Sequence, residues 1–188
     1  MSEHAQLQRK TLKTLTIAQI GAGVGTAGTV AAGSLLVASI TGSEELAGLA
    51  QTFSVLGAAA LAIPLARLTS SGGRRRALSV GYAAGVVGSI FAILGGVNSN
   101  IYLMLTGSFL VGSASASAYQ ARFAAIDLVE EAHRAKQLSY VVWGSTVGAV
   151  TGPNLMSPAG DLAEKLNLPR LTGPYLISAF TLTFAALL

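Results

Sequence analysis

From Leu15 to Leu188 the chain alternates long apolar stretches with short polar ones, and nearly all of its charge falls in the polar gaps. A helix needs about 20 predominantly apolar residues to cross a hydrocarbon layer of about 30 Å. Spans are therefore predicted over residues 15–40, 46–66, 77–97, 101–120, 138–158 and 171–188, after a cytoplasmic polar tail at 1–14. Strands of a membrane barrel would alternate over about ten residues, whereas these runs are continuous. The predicted fold is all-α: a polytopic membrane protein of six transmembrane helices. The last run is just short of a full crossing, so the chain is expected to stop inside or at the edge of its sixth span.

Composition agrees with the pattern. The 188 residues are 52% hydrophobic and 11% charged, with a mean hydropathy of +0.60. A soluble domain of this size leaves much of its surface exposed, and so little charge could not cover it. A net charge of +4 would suit nucleic acid if it formed one patch. Instead the basic residues flank the apolar runs, so the lipid bilayer is the expected partner and nucleic acid is not. The run that begins at Leu15 is longer than the apolar core of a cleavable signal peptide, and the first helix is expected to be retained.

Orientation follows from the same residues. Arg9, Lys10, Lys13, Arg67, Arg74, Arg75, Arg76, Arg122, Arg134 and Lys136 fall on one predicted side, leaving Lys165 and Arg170 on the other. Basic residues concentrate on the cytoplasmic side of short loops. Both ends are thus expected to be cytoplasmic, in a multi-pass protein of the plasma membrane, with 41–45, 98–100 and 159–170 facing outward.

Several chemistries are absent. Without cysteine there is no disulfide, thiolate metal site or cysteine nucleophile. His4 and His133 stand alone without ligand spacing, so no metal is expected. No cofactor and no enzymatic activity are expected either. Gly23, Gly25 and Gly28 do fit the G-x-G-x-x-G dinucleotide fingerprint, with Glu44 or Glu45 near its acidic position. That fold needs an amphipathic crossover helix next. The segment Val30 to Ile40 is apolar all round, which makes the motif a stretch of packing helix. The 22 glycines include helically spaced sets at Gly21/Gly25, Gly81/Gly85 and Gly144/Gly148/Gly152. Small residues four apart let membrane helices approach closely.

The turn between spans two and three reads Ala66-Arg-Leu-Thr-Ser70-Ser-Gly72-Gly73-Arg74-Arg75-Arg76. It resembles the signature loop of the major facilitator superfamily, G-x-x-x-D-[RK]-x-G-[RK]-[RK], with Ala66 at the first glycine and Ser70 at the aspartate. A second passage is also similar to that family: Arg122-Phe-Ala-Ala-Ile-Asp127-Leu closing span four, a charged loop from Glu130 to Lys136, then Gly144, Gly148, Gly152 and Pro153 in span five. The last four match the G-x-x-x-G-P element of the family's exporters, although Met156 and Ser157 replace its closing glycines. The stretch from Tyr119 to Pro158 is further similar to actinobacterial members.

The resemblance implies several roles. Asp127 would pair with Arg74 or Arg75 beside Gly73 and Arg122, as a contact made in one global state and broken in another. Pro153 would bend span five. The arginine that many proton-linked exporters carry early in helix four would fall near Ser108, so that element is missing. No ionisable residue lies well inside a predicted span, where proton pathways are normally marked. Uncharged groups remain for substrate contact: Gln19, Tyr119, Gln120, Tyr140, Trp143 and Asn154. They would line a mostly apolar cavity suited to a lipophilic or amphiphilic small molecule, or else serve as interfacial anchors and helix-to-helix hydrogen bonds.

The resemblance thus implies the amino-terminal half of a secondary-active exporter, whose substrate lies between two six-helix halves. A second half, a second copy or a larger membrane complex would be its partner. The alternative is a non-transporting half-transporter, a structural or regulatory subunit.

Overall fold

The computed structural model describes residues 3–127, 129 and 131–188. Its helices are α1 (Glu3–Thr41), α2 (Leu49–Gly72), α3 (Arg74–Val97), α4 (Ile101–Ala124), α5 (Glu131–Asn154), α6 (Met156–Lys165) and α7 (Gly173–Leu187), with a 3-10 turn at Arg170–Thr172. There is no strand among the described residues. α1 to α4 are long and apolar enough to cross a bilayer. α5 has the length, 24 residues, but its first turns are charged, and α7 has 15 residues.

The helix bounds depart from the sequence prediction where polar residues continue a helix. The tail expected at 1–14 is helical from Glu3 onward, since its Ala, Gln, Leu, Lys and Arg residues are strong helix formers. α2 and α4 run on to Gly72 and Ala124, past the predicted ends at 66 and 120, and α3 starts at Arg74 rather than 77. α5 begins at Glu131, so the loop expected through Lys136 is helix from that residue on. Leu128 and Glu130 lie outside the described residues.

The fifth span also ends early. Pro153 has no N–H, and its ring clashes with the carbonyl one turn back; α5 stops at the next residue, Asn154. The amide of Leu155 closes the end on the carbonyls of Thr151 and Gly152, both at 3.1 Å. The chain restarts at Met156, so most of the loop expected over 159–170 is instead the amphipathic helix α6. Its Ala159, Gly160 and Ala163 are buried. Arg170 folds back on it, 2.8 Å from Asp161 and 3.1 Å from Glu164.

The principal pairings are α1 with α5 and α7, α4 with α2 and α3, α3 with α7 and with α2, and α1 with α4. Exchanging α1 with α4, α2 with α5 and α3 with α7 maps all of these onto one another except α2 with α3, which has no comparable α5–α7 counterpart among the described residues. The interior is made largely of small residues, such as Ala22, Ala32, Ala92, Ala114 and Ala121, with a few large ones including Met104, Tyr82 and Tyr175. Large apolar side chains point outward: Ile63 and Val150 are 63% exposed and Phe180 76%. A water-soluble core has the opposite distribution. In lipid, tight packing of small residues is what holds helices together.

Candidate functional site

The junction of α2 and α3 is a single residue, Gly73, at φ 83° and ψ 161°. This positive-φ conformation is open to glycine and strained for other residues. It lets α3 start at once, which puts Arg74 in the first helical position. From there the guanidinium reaches Asp127, 53 residues later in the turn that follows α4. Nε donates to one carboxylate oxygen and Nη2 to the other, at 2.9 Å for the second. The contact is thus bidentate, the geometry that gives an arginine–carboxylate pair its directionality. The two side chains are 35% and 42% exposed. A pair so open to solvent contributes about 0–1 kcal/mol, which is small enough to be broken.

The other residues of the two motifs have separate places. Arg75 is exposed and takes no part in the Asp127 pair. Arg122 stacks over Tyr119, 4.9 Å from the ring centroid, and its buried Nε has no hydrogen-bond partner among the described residues. Ser70, at the position of the family's aspartate, donates to the Arg67 carbonyl at 2.8 Å within its own helix.

The glycines of α5 form a seam with α1. A methyl group on Gly148 would stand 2.6 Å from the Ile20 oxygen and 2.7 Å from the Gly23 Cα; one on Gly152 would stand 2.8 Å from the Val24 oxygen. Gly144 meets the Thr16 oxygen at 3.0 Å by the same measure. The run that imitates a dinucleotide fingerprint is therefore the other wall of this seam, and Gly28 lies against Gly152. Pro153 ends the seam at the exposed end of α5.

The residues proposed for substrate contact do not converge. Gln19 is fully buried; its Nε2 donates to the Ala118 carbonyl at 3.1 Å and its Oε1 accepts from the Tyr82 hydroxyl at 3.3 Å. It links α1 to α4 and α3 rather than lining a cavity, since a buried amide needs partners. Gln120 joins α4 to α2, accepting from Thr69 Oγ1 at 3.1 Å. Asn154 donates to the Val150 carbonyl of its own helix at 2.7 Å. Tyr119, Tyr140 and Trp143 are outward-facing, with Trp143 63% exposed.

Two spaces were not anticipated. A cavity of about 480 Å³ lies between the ends of α1, α3 and α7, its lining including Lys10, Thr14, Arg75 and Ser79 together with Leu15 and Leu78. The spacing of Lys10 with Thr14, and of Arg75 with Ser79 and Tyr82, is helical and carries the signal, but it does not reveal that the two faces meet. A void of about 10 Å³ sits beside Thr29, Gln51, Ser54, Ser108 and Tyr175; this is room for one water. No group of three or more potential metal ligands occurs among the described residues.

Residues 15–188 match the family model described as the Major Facilitator Superfamily. The chain is 35% identical over 173 residues to YdeG, an uncharacterized MFS-type transporter of Bacillus subtilis strain 168, covering 92% of this chain and 40% of that one. It is 33% identical over 183 residues to YddS, described likewise and from the same strain, covering 97% and 42%. Against the riboflavin transporter RfnT of Brucella anthropi the identity is 26% over 152 residues, covering 81% and 38%. The chain thus spans about two fifths of the length of the curated relatives it matches. No solved structure matches it.

Proposed function

The chain belongs to the major facilitator superfamily, and on that premise we propose that it forms one six-helix half of a secondary-active transporter of the plasma membrane, with its amino terminus in the cytoplasm. The cargo is a lipophilic or amphiphilic small molecule and the direction is export. The observation that carries this reading is the bidentate Arg74–Asp127 contact, which joins the α2–α3 junction to the end of α4 with an energy small enough to be reversed during a transport cycle. The α1–α5 glycine seam supports it, because a smooth interface lets helices shift without unpacking bulky side chains. The relative described as a riboflavin transporter supports an amphiphilic aromatic cargo.

A second reading is that the chain is a non-transporting subunit. It is favoured by Gln19 and Gln120, whose polar groups are spent on helix-to-helix hydrogen bonds. Proteoliposomes separate the two. Purified chain, alone and with a second six-helix half, is assayed for flux of an ethidium-like cation and of riboflavin. Gradient-driven flux in either preparation supports transport. Zero flux in both, with a stoichiometric membrane partner recovered on detergent purification, would replace it with the subunit reading.

A further inference from the structure

Where α1, α2, α4 and α7 meet, a void of about 10 Å³ is bordered by Thr29 of α1, Gln51 and Ser54 of α2, Ser108 of α4 and Tyr175 of α7. Thr29, Ser108 and Tyr175 are buried, at 6%, 3% and 2% exposure. Their hydroxyls are poorly served by one another. Thr29 Oγ1 spends its proton on the Thr26 carbonyl at 2.8 Å, which leaves its lone pairs to accept. The Tyr175 hydroxyl reaches the Thr29 carbonyl only at 3.4 Å, beyond the usual range of about 2.5–3.0 Å for such a bond. Ser108 Oγ lies beside that hydroxyl but has no partner at hydrogen-bond geometry among the described residues. A hydroxyl buried without a partner is costly, and this one borders a space.

We propose that a single water molecule is bound here as a fixed part of the bundle, accepting the Ser108 hydroxyl's hydrogen bond and donating to Thr29 Oγ1 and to Gln51 or Ser54. A bound water needs about 10–15 Å³ of such space and two to four polar partners. The void supplies the first and the four helices the second. Its lining carries no charged side chain, so an ion would stay unpaired there, and an organic ligand would not fit. The water would join α1 to α2. These two helices pack lightly on each other, and the side-chain hydrogen bonds of α2 run to α4 or to carbonyls of its own helix and cap. Neither the site nor its test depends on transport, so this inference stands apart from the function proposed above.

Hydroxyl-radical footprinting by X-ray radiolysis of the full chain in detergent tests this. Radicals formed from a bound water oxidise the side chains beside it, whereas Tyr175, at 2% exposure, is shielded from radicals formed in the bulk. The expected result is oxidation of Tyr175 in the unaltered chain and its loss in Ser108→Val, whose branched apolar side chain fills the void with carbon. Thermal unfolding adds a reading whose sign differs between a wet and a dry site. With the water bound, Ser108→Ala takes away one of its partners, and the midpoint should fall by about 2–4 °C. In a dry void the same change removes an unpaired buried hydroxyl, and the midpoint should rise. Circular dichroism checks that each variant is folded. An unoxidised Tyr175 in the unaltered chain would overturn the proposal, including the case of a direct Ser108–Tyr175 bond, in which the midpoint falls without oxidation. So would a raised midpoint in Ser108→Ala, or oxidation that persists in a folded Ser108→Val. If Ser108→Val does not fold, oxidation in the unaltered chain and the Ser108→Ala midpoint together decide.

Discussion

Gly148 of α5 lies directly on Gly23 of α1, so close that a methyl group on the first would be 2.7 Å from the Cα of the second. The atoms in the way are backbone and cannot rotate aside. Gly148→Ala is therefore expected to destabilise the bundle by about 1–3 kcal/mol through overpacking. Gly48→Ala, where nothing lies within 4 Å, should be close to neutral. Thermal unfolding of the two variants in the same detergent measures the contrast. Equal midpoints would mean that α1 and α5 are further apart than described.

The Arg74–Asp127 pair should matter little to stability and much to function. Arg74→Ala and Asp127→Ala are each expected to shift unfolding by less than about 1 kcal/mol, given the exposure of both side chains. On the transport function proposed above, flux through the chain assembled with a second half should fall in both. The reversed pair, Arg74→Asp with Asp127→Arg, should recover part of the flux that either reversal alone loses. A double-mutant cycle in flux with no coupling would remove the switch role.

Gln19 leads to the opposite expectation. Replacing it with Leu strands the buried Tyr82 hydroxyl and removes a second bond from the Ala118 carbonyl, which keeps its place in the α4 ladder. A buried polar group left unpaired costs about 1–3 kcal/mol, so Gln19→Leu should unfold markedly earlier. Tyr82→Phe, which removes one of the two bonds, should lose less. Cargo affinity should be unchanged in whatever fraction remains folded, and a selective loss of affinity without loss of stability would return Gln19 to a binding role.

Arg170 tests a local device. It holds α6 through Asp161 and Glu164, all three half-exposed. Arg170→Ala should lower global stability by less than about 1 kcal/mol and yet speed hydrogen exchange across residues 156–165, because its two ion pairs fasten the exposed face of a short helix whose other face packs on α7. Exchange confined to the rest of the bundle would contradict this.

How much of this was legible in the sequence depended on whether a feature is local. α1 to α4 were visible because each is a continuous apolar run, and a pairing of Asp127 with Arg74 or Arg75 was implied only by the resemblance of two short motifs to a known family. The start of α5 was hidden: Glu131, Arg134 and Lys136 read as loop, although residues of this kind are good helix formers at a membrane boundary. α6 was hidden for a related reason, since Asp161, Glu164 and Lys165 mark only its exposed face and its buried face is Ala and Gly, which carry no apolar signal. The fate of Gln19 depended on partners 63 and 99 residues away. The cavity joins residues 10 and 75, whose proximity follows only from the packing of α1 on its neighbours.

The exposure of Arg74 and Asp127 also sets how the junction behaves over time. An interaction of about 0–1 kcal/mol is comparable to thermal energy at room temperature, so the open and closed forms of the contact lie close in free energy. The clasp between the α2–α3 turn and the end of α4 is therefore a fraction rather than a fixed bond. A modest change in local salt or in a neighbouring charge would alter that fraction without moving a helix.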